Sequence, residues 1–140
     1  PYFVVGVIGA GEYADERAEA HAFQLGTLIA QAGWAVLSGE RDAGVMRAVN
    51  AGALVTDLGS GRNNVIVLTR QVVIACGRGG PGTVSEVALA LKAGKPVVLL
   101  DVDPAAARFY QELGGRLVAA VKTPEEAVAA VQRIAAGRVH

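Results

Sequence analysis

A single cysteine, Cys76, in a chain of 140 residues excludes any disulfide framework within it. That cysteine stands inside the apolar run VVIAC, which predicts a buried, inert thiol. The two histidines, His21 and His140, are far apart and have no cysteine near them, so no zinc-ligand spacing exists and no metal site is expected. Neither sign of charge dominates: 13 Lys and Arg balance 13 Asp and Glu. Without a basic excess the chain lacks the electrostatic footprint of a nucleic-acid binder and the polybasic patch of a membrane-surface protein. No apolar run approaches the roughly 18 residues of a membrane span. The opening PYFVVGVIGAGE lacks the basic start and long apolar stretch of a signal peptide. These absences lead to the expectation of a cytoplasmic protein with neither nucleic acid nor membrane as partner. What the chain does have is 52% hydrophobic residues, enough to exclude disorder, and 18 glycines.

Short β-branched runs alternate with longer alanine-rich stretches. FVVGVIGA reads as a strand ending at Gly9. From Asp15 to Gln31 the apolar residues Ala18, Ala22, Leu25, Leu28 and Ile29 recur at helical spacing, and Gly33 stops that helix. WAVLSG is a second strand, and a short helical piece runs from Val45 through Ala53. Arg62 to Thr69 reads as a helix because the strand QVVIAC follows at once. Thr83 to Ala93 is helical and closed by Gly94, and PVVLLDV is the next strand. VAAV is a weak strand, followed by the helix TPEEAVAAVQRIAAG, in which Thr123 caps, Pro124 suits the first turn and Gly137 ends. Continuous apolar strands alternating with helices predict a parallel sheet covered on both faces: a Rossmann-like, doubly wound α/β fold in one domain. In such sheets ligands bind beyond the carboxyl ends of the strands. The loops there are GAGEYAD, SGERDAG, GRGGPGT and DVDPAAA, and three of the four are rich in glycine.

The stretch GRGGPGTVSEV, residues 77–87, places four glycines in six positions. Glycine admits positive φ and close approach of a ligand, and a helix start offers free N–H groups and partial positive charge. The loop and the helix after it read as a phosphate cradle, although no GK[ST] of a Walker A loop follows. The same residues also read as a capping box, with Thr83 as cap and Glu86 reaching back to it. Both readings stand at this point.

GGPGTVSE resembles the core of the PGGxGTxxE motif of the LOG-like proteins, long labelled lysine decarboxylases. VIGAGE resembles that superfamily's first glycine loop. SGERDAGVMRAVNAGA resembles its GGxxGxM segment, with Gly39, Gly44 and Met46 matching. LGSGRNNVIVLTRQVVIACG resembles the arginine helix and strand before the motif, and LALKAGKPVVLL the stretch after it. Within the superfamily the chain is similar to the small bacterial branch related to molybdenum-cofactor carrier proteins. The resemblance implies a dimeric Rossmann-like domain that binds a nucleoside monophosphate. Gly79, Gly80, Gly82 and Thr83 would hold the phosphate, with Gly9, Gly11, Gly39, Gly44 and Met46 contributing to the ligand site. Arg62 and Glu86 would be the catalytic pair of a phosphoribohydrolase that releases free base and ribose 5-phosphate.

Those residue types suit that chemistry. Breaking an N-glycosidic bond builds positive charge on the sugar, which a carboxylate such as Glu86 can stabilise or meet with an oriented water. Arg62 can clamp phosphate bidentately. No cofactor is required. The chain departs from the family pattern in four places. Arg78 replaces the motif's leading proline, and Glu40 stands at a glycine position. Asn63 replaces the lysine beside the arginine of the cytokinin-activating enzymes. NAGA runs into LVTDLG between Ala53 and Leu54, where relatives have a further strand and loop.

The alternative reading is a non-catalytic carrier or sensor of an AMP-like nucleotide or a molybdopterin-type ligand. It uses the same glycines and asks only capping of Glu86. A dinucleotide dehydrogenase is weaker. Gly9-Ala-Gly11-Glu-Tyr-Ala14 fits G-x-G-x-x-A, but the acidic candidate Glu40 falls late and after Gly39. A purely structural αβ scaffold would leave the glycine loops as tight turns. No lysine stands out for Schiff-base chemistry, so the decarboxylase label finds no support. Under any ligand-binding reading the partners are a small phosphorylated molecule and a second copy of the chain.

Overall fold

The structure, a computed structural model, describes residues 3–9, 16–38, 48–49, 51, 71–77 and 81–137. Among the described residues five strands form one sheet: β1 (Val4–Gly9), β2 (Ala35–Ser38), β3 (Val72–Cys76), β4 (Val97–Leu100) and β5 (Val118–Val121). Their order is β2-β1-β3-β4-β5 and every pairing is parallel. Among the described residues, α1 (Glu16–Gln31), α2 (Pro81–Lys92), α3 (Pro104–Gly114) and α4 (Pro124–Gly137) connect or follow them. This is the expected Rossmann-like, doubly wound α/β fold.

The strands are apolar along their whole length because both faces are covered. β1, β3 and β4 are buried at every position. Alternate residues serve opposite layers, as the strand period of two requires. Val5, Val7, Val72, Ile74, Cys76, Val98 and Leu100 join α1 and α4 in one core. Ile8, Val73, Ala75, Val97 and Leu99 join α2 and α3 in the other. Trp34 packs at the sheet edge beside Phe3, ring centroids 5.7 Å apart. Cys76 is fully buried, and burial pushes its thiol up to about 12, so it is the inert core thiol that its setting predicts.

Local chemistry ends the helices where the glycines fall. At the close of α1 the Gly33 N–H donates to Ala30 O (3.0 Å) and the Trp34 N–H to Ile29 O (3.2 Å), with Gly33 at φ 80°. At the close of α2 the Gly94 N–H donates to Leu91 O (3.0 Å) and the Lys95 N–H to Ala90 O (2.9 Å), with Gly94 at φ 73°. Both are Schellman closures. Asp103 caps α3, its Oδ2 accepting from the Ala106 N–H at 3.4 Å, and Pro104 takes the first turn.

α4 starts with a complete capping box. The Glu126 N–H donates to Thr123 Oγ1 (3.2 Å) and the Thr123 N–H donates back to Glu126 Oε1 (3.1 Å). The Lys122 N–H donates to the same carboxylate oxygen at 3.0 Å. This backbone bond from Lys122 leads the influences that hold the Glu126 carboxyl below its ordinary range. A depressed carboxyl contributes stability above its unfolded-state pKa, and that contribution is lost as pH falls through the folded-state value. Glu126→Gln keeps a capping amide but has no proton to gain. In acid titrations followed by circular dichroism, the natural chain is expected to lose more stability than the variant between neutral pH and the acid limb.

The helix of the glycine motif begins two residues earlier than Thr83. Pro81 opens α2, as a proline with preset φ favours at a first helical position. Thr83 is therefore the third helical residue, not the cap, and the capping box expected of Thr83 and Glu86 is not how this helix starts. Val45 to Ala53 is described only at residues 48, 49 and 51, which are helical. The helix expected over Arg62 to Thr69 lies outside the described residues. No helix among the described residues is long and apolar enough to cross a membrane.

Candidate functional site

The strand order reverses direction between β1 and β3: the chain moves outward to β2, returns to β3 and continues to β5. α1 covers one face of the sheet and α2 the other, and doubly wound sheets take ligands at the carboxyl edge beside such a switch point. The register aligns the strand ends across that edge. Gly9 lies opposite Cys76, and Cys76 opposite Leu100. The Gly77 N–H donates to Leu100 O at 2.8 Å, and the Asp101 N–H to Val121 O at 2.9 Å.

Gly77, the first residue of the glycine motif, has φ 65°. A Cβ built there would stand 3.1 Å from the Ala18 Cβ on α1. The left-handed backbone favours glycine there, and a side chain would also ask α1 to give by a few tenths of an ångström.

A cavity of about 150 Å³ opens at this edge between the ends of β3 and β4. Ala75 forms its floor and Gly77 and Thr83 line the motif side. Val84, Val102, Ala106 and Tyr110 supply apolar walls, and Asp103 adds a carboxylate. This is the composition of a small-molecule site, mostly apolar with a few convergent polar groups. A wider recess of about 310 Å³ follows along the edge toward β5, with Arg108, Gln111 and Lys122 among its lining residues.

On the α1 face the Asp101 carboxylate meets two side chains of that helix. Arg17 Nε lies 2.9 Å and His21 Nδ1 3.7 Å from its Oδ2. Asp101 itself has φ 55°, the one non-glycine with positive φ among the described residues. Arg17 is 69% exposed, so the pair positions the β4 end more than it stabilises the fold.

Of the sequence-predicted site residues, Gly9, Gly82, Thr83 and Glu86 are described. Thr83 faces the cavity; Gly82 lies beside it in the exposed first turn of α2, and Gly9 ends β1 at the same edge. Glu86 stands half-buried one turn further along α2. Arg62, Gly11, Gly39, Gly44, Met46, Gly79 and Gly80 lie outside the described residues. Asp103 is the α3 cap and also lines the cavity, whereas Asp101 pairs with α1. Sequence reading missed the Asp101–Arg17–His21 cluster, Val102 and Tyr110. Contacts across about 80 residues leave no local signal, and Tyr110 reads as an ordinary helix residue.

An open parallel sheet with this order defines a Rossmann-like, doubly wound α/β protein. The chain belongs to the SLOG cluster4 family, whose model matches residues 2–54 and 52–128. The match breaks at residues 52–54, where NAGA runs into LVTDLG. The chain is similar to the molybdenum-cofactor carrier protein of Chlamydomonas reinhardtii, with TM-score 0.87 and 37% identity over 97% of this chain and 99% of that one. It is also similar to the molybdenum cofactor binding protein of the phototrophic bacterium Rippkaea orientalis, with TM-score 0.85 and 36% identity over 96% and 98% of the two chains. An uncharacterised protein of Archaeoglobus fulgidus is 37% identical over 121 residues, covering 69% of this chain and 78% of that protein.

Proposed function

We propose that this protein is a non-catalytic carrier or sensor of a phosphorylated heterocyclic ligand of the molybdenum-cofactor type. The observation that carries the reading is its likeness to two proteins named for that cofactor, over at least 96% of the chain and at more than one-third identity. The chemistry of the carboxyl edge supports it. Gly79, Gly80, Gly82 and Thr83 serve as phosphate cradle at the start of α2, where N–H groups and the helix dipole favour an anion. By their likeness to the family's glycine segments, Gly9, Gly11, Gly39, Gly44 and Met46 would contribute to the same ligand site, and two copies of the chain form the functional unit. The test is loading with molybdenum cofactor, then gel filtration with light scattering, molybdenum analysis and fluorescence of the oxidised pterin. Molybdenum and pterin are expected to elute together with a species of twice 14.3 kDa. Elution of both at the position of free cofactor sinks the carrier reading.

A second reading is the phosphoribohydrolase, favoured by the half-buried placement of Glu86 on the motif helix. In it Glu86 and Arg62 act on the N-glycosidic bond. Chromatography of AMP incubations separates the two. The carrier releases no free base, whereas a hydrolase releases it and loses that activity in Glu86→Gln with its fold intact.

A further inference from the structure

We propose that the cavity between the ends of β3 and β4 seats the heterocyclic ring of the ligand, and that Asp103 selects rings presenting two adjacent N–H donors. This deepens the ligand-binding reading above and rests on it.

Size comes first. A cavity of about 150 Å³ is that of an engineered apolar cavity that admits benzene, so one six-membered ring fits the space here. The walls suit a planar ring. Val84 and Val102 offer aliphatic surface, and Tyr110, only 6% exposed, holds a rigid aromatic wall in place. Thr83 lines the same cavity, so a ring seated here adjoins the motif that would hold the phosphate.

Asp103 sets the selectivity. Among the described lining residues it is the acidic side chain. An ionised carboxylate only accepts hydrogen bonds, and its two oxygens match two parallel N–H donors. Capping does not consume it. One oxygen accepts a long 3.4 Å bond from the Ala106 N–H, which leaves further lone pairs on both oxygens. A guanine or pterin ring offers a ring N–H beside an exocyclic amino group and is matched. Adenine offers an acceptor nitrogen beside its amino group, and the carboxylate faces that acceptor without a proton between them.

The test uses the whole chain and calorimetric titration with GMP, AMP and inorganic phosphate. GMP is expected to bind at least about tenfold more tightly than AMP, the discrimination that a bidentate base contact brings. Asp103→Asn is the informative variant. Asparagine caps a helix as well as aspartate does, so the melting temperature should hold. The amide offers one donor and one acceptor, which is adenine's complement, so the GMP-to-AMP ratio should fall to unity or invert. Removing a negative charge strengthens both nucleotides alike and leaves the ratio untouched, which is why the ratio is the readout. Val84→Phe, at a position 45% exposed, fills the cavity. It should weaken both nucleotides while leaving phosphate binding unchanged. Equal affinities for GMP and AMP, unaltered by either substitution, overturn the ring-pocket assignment and leave the phosphate-cradle reading standing. No binding of nucleotide or phosphate overturns both.

Discussion

Gly77→Val is expected to destabilise the protein by about 2–4 kcal/mol, from the strain of a β-branched residue at positive φ and the contact it would make. The position has φ 65°, and its Cβ would meet the Ala18 Cβ at 3.1 Å. The substitution strains the end of β3 and asks α1 to give way around the new side chain. Either movement disturbs the edge, because the Gly77 N–H holds Leu100 O and Gly77 lines the 150 Å³ cavity. Urea unfolding measures the loss. A double-mutant cycle separates its causes. In an Ala18→Gly background the contact with α1 is gone, so Gly77→Ala should cost less there than in the natural chain. The remainder is the cost of the dihedral. An equal penalty in both backgrounds would show that α1 yields freely and that backbone geometry alone demands glycine.

Ile74→Ala is expected to cost about 2–5 kcal/mol, the range for truncating a large aliphatic side chain in a closed core. Ile74 is fully buried in β3, the middle strand of five. Val7 lies opposite it on β1 and Val98 on β4, and all three side chains enter the layer beneath α1 and α4. Strands fixed on both sides cannot close over the missing atoms, so the upper part of the range applies. Against a total stability of 5–15 kcal/mol typical of domains, this is a large fraction. A shift in the urea midpoint at unchanged slope identifies a loss of packing. A loss below about 1 kcal/mol would mean that the two layers relax around the gap.

The two substitutions reach the edge differently. Ile74 acts through the sheet, whereas Gly77 acts on the site and the sheet together. A ligand held at the edge is expected to suffer in Gly77→Val even at temperatures where the chain stays folded. In Ile74→Ala it should bind normally until the fold is lost.

Hydrophobic period and glycine position, both properties of the sequence by itself, determined the α/β class, the parallel sheet with two covered faces and most helix ends. Val4–Gly9, Val72–Cys76 and Val97–Leu100 are legible because a strand buried on both faces must be apolar throughout. Gly33 and Gly94 are legible as stops because only glycine takes the left-handed closing position without cost. The motif residues Thr83 and Glu86 fall on α2, the helix that follows β3 at the carboxyl edge of the sheet. The tertiary structure decided what no local pattern encodes. It set the strand order β2-β1-β3-β4-β5 and hence the switch point between β1 and β3. It started α2 at Pro81, which turned Thr83 from a cap into a cavity residue. It brought Asp101 to Arg17 and His21, and Asp103 and Tyr110 to the cavity that Gly77 and Thr83 line. The physical reason is that periodicity and capping act within a turn or two of chain. Contacts between strand ends and helices are set by how two layers pack on one sheet, which depends on residues far apart in sequence.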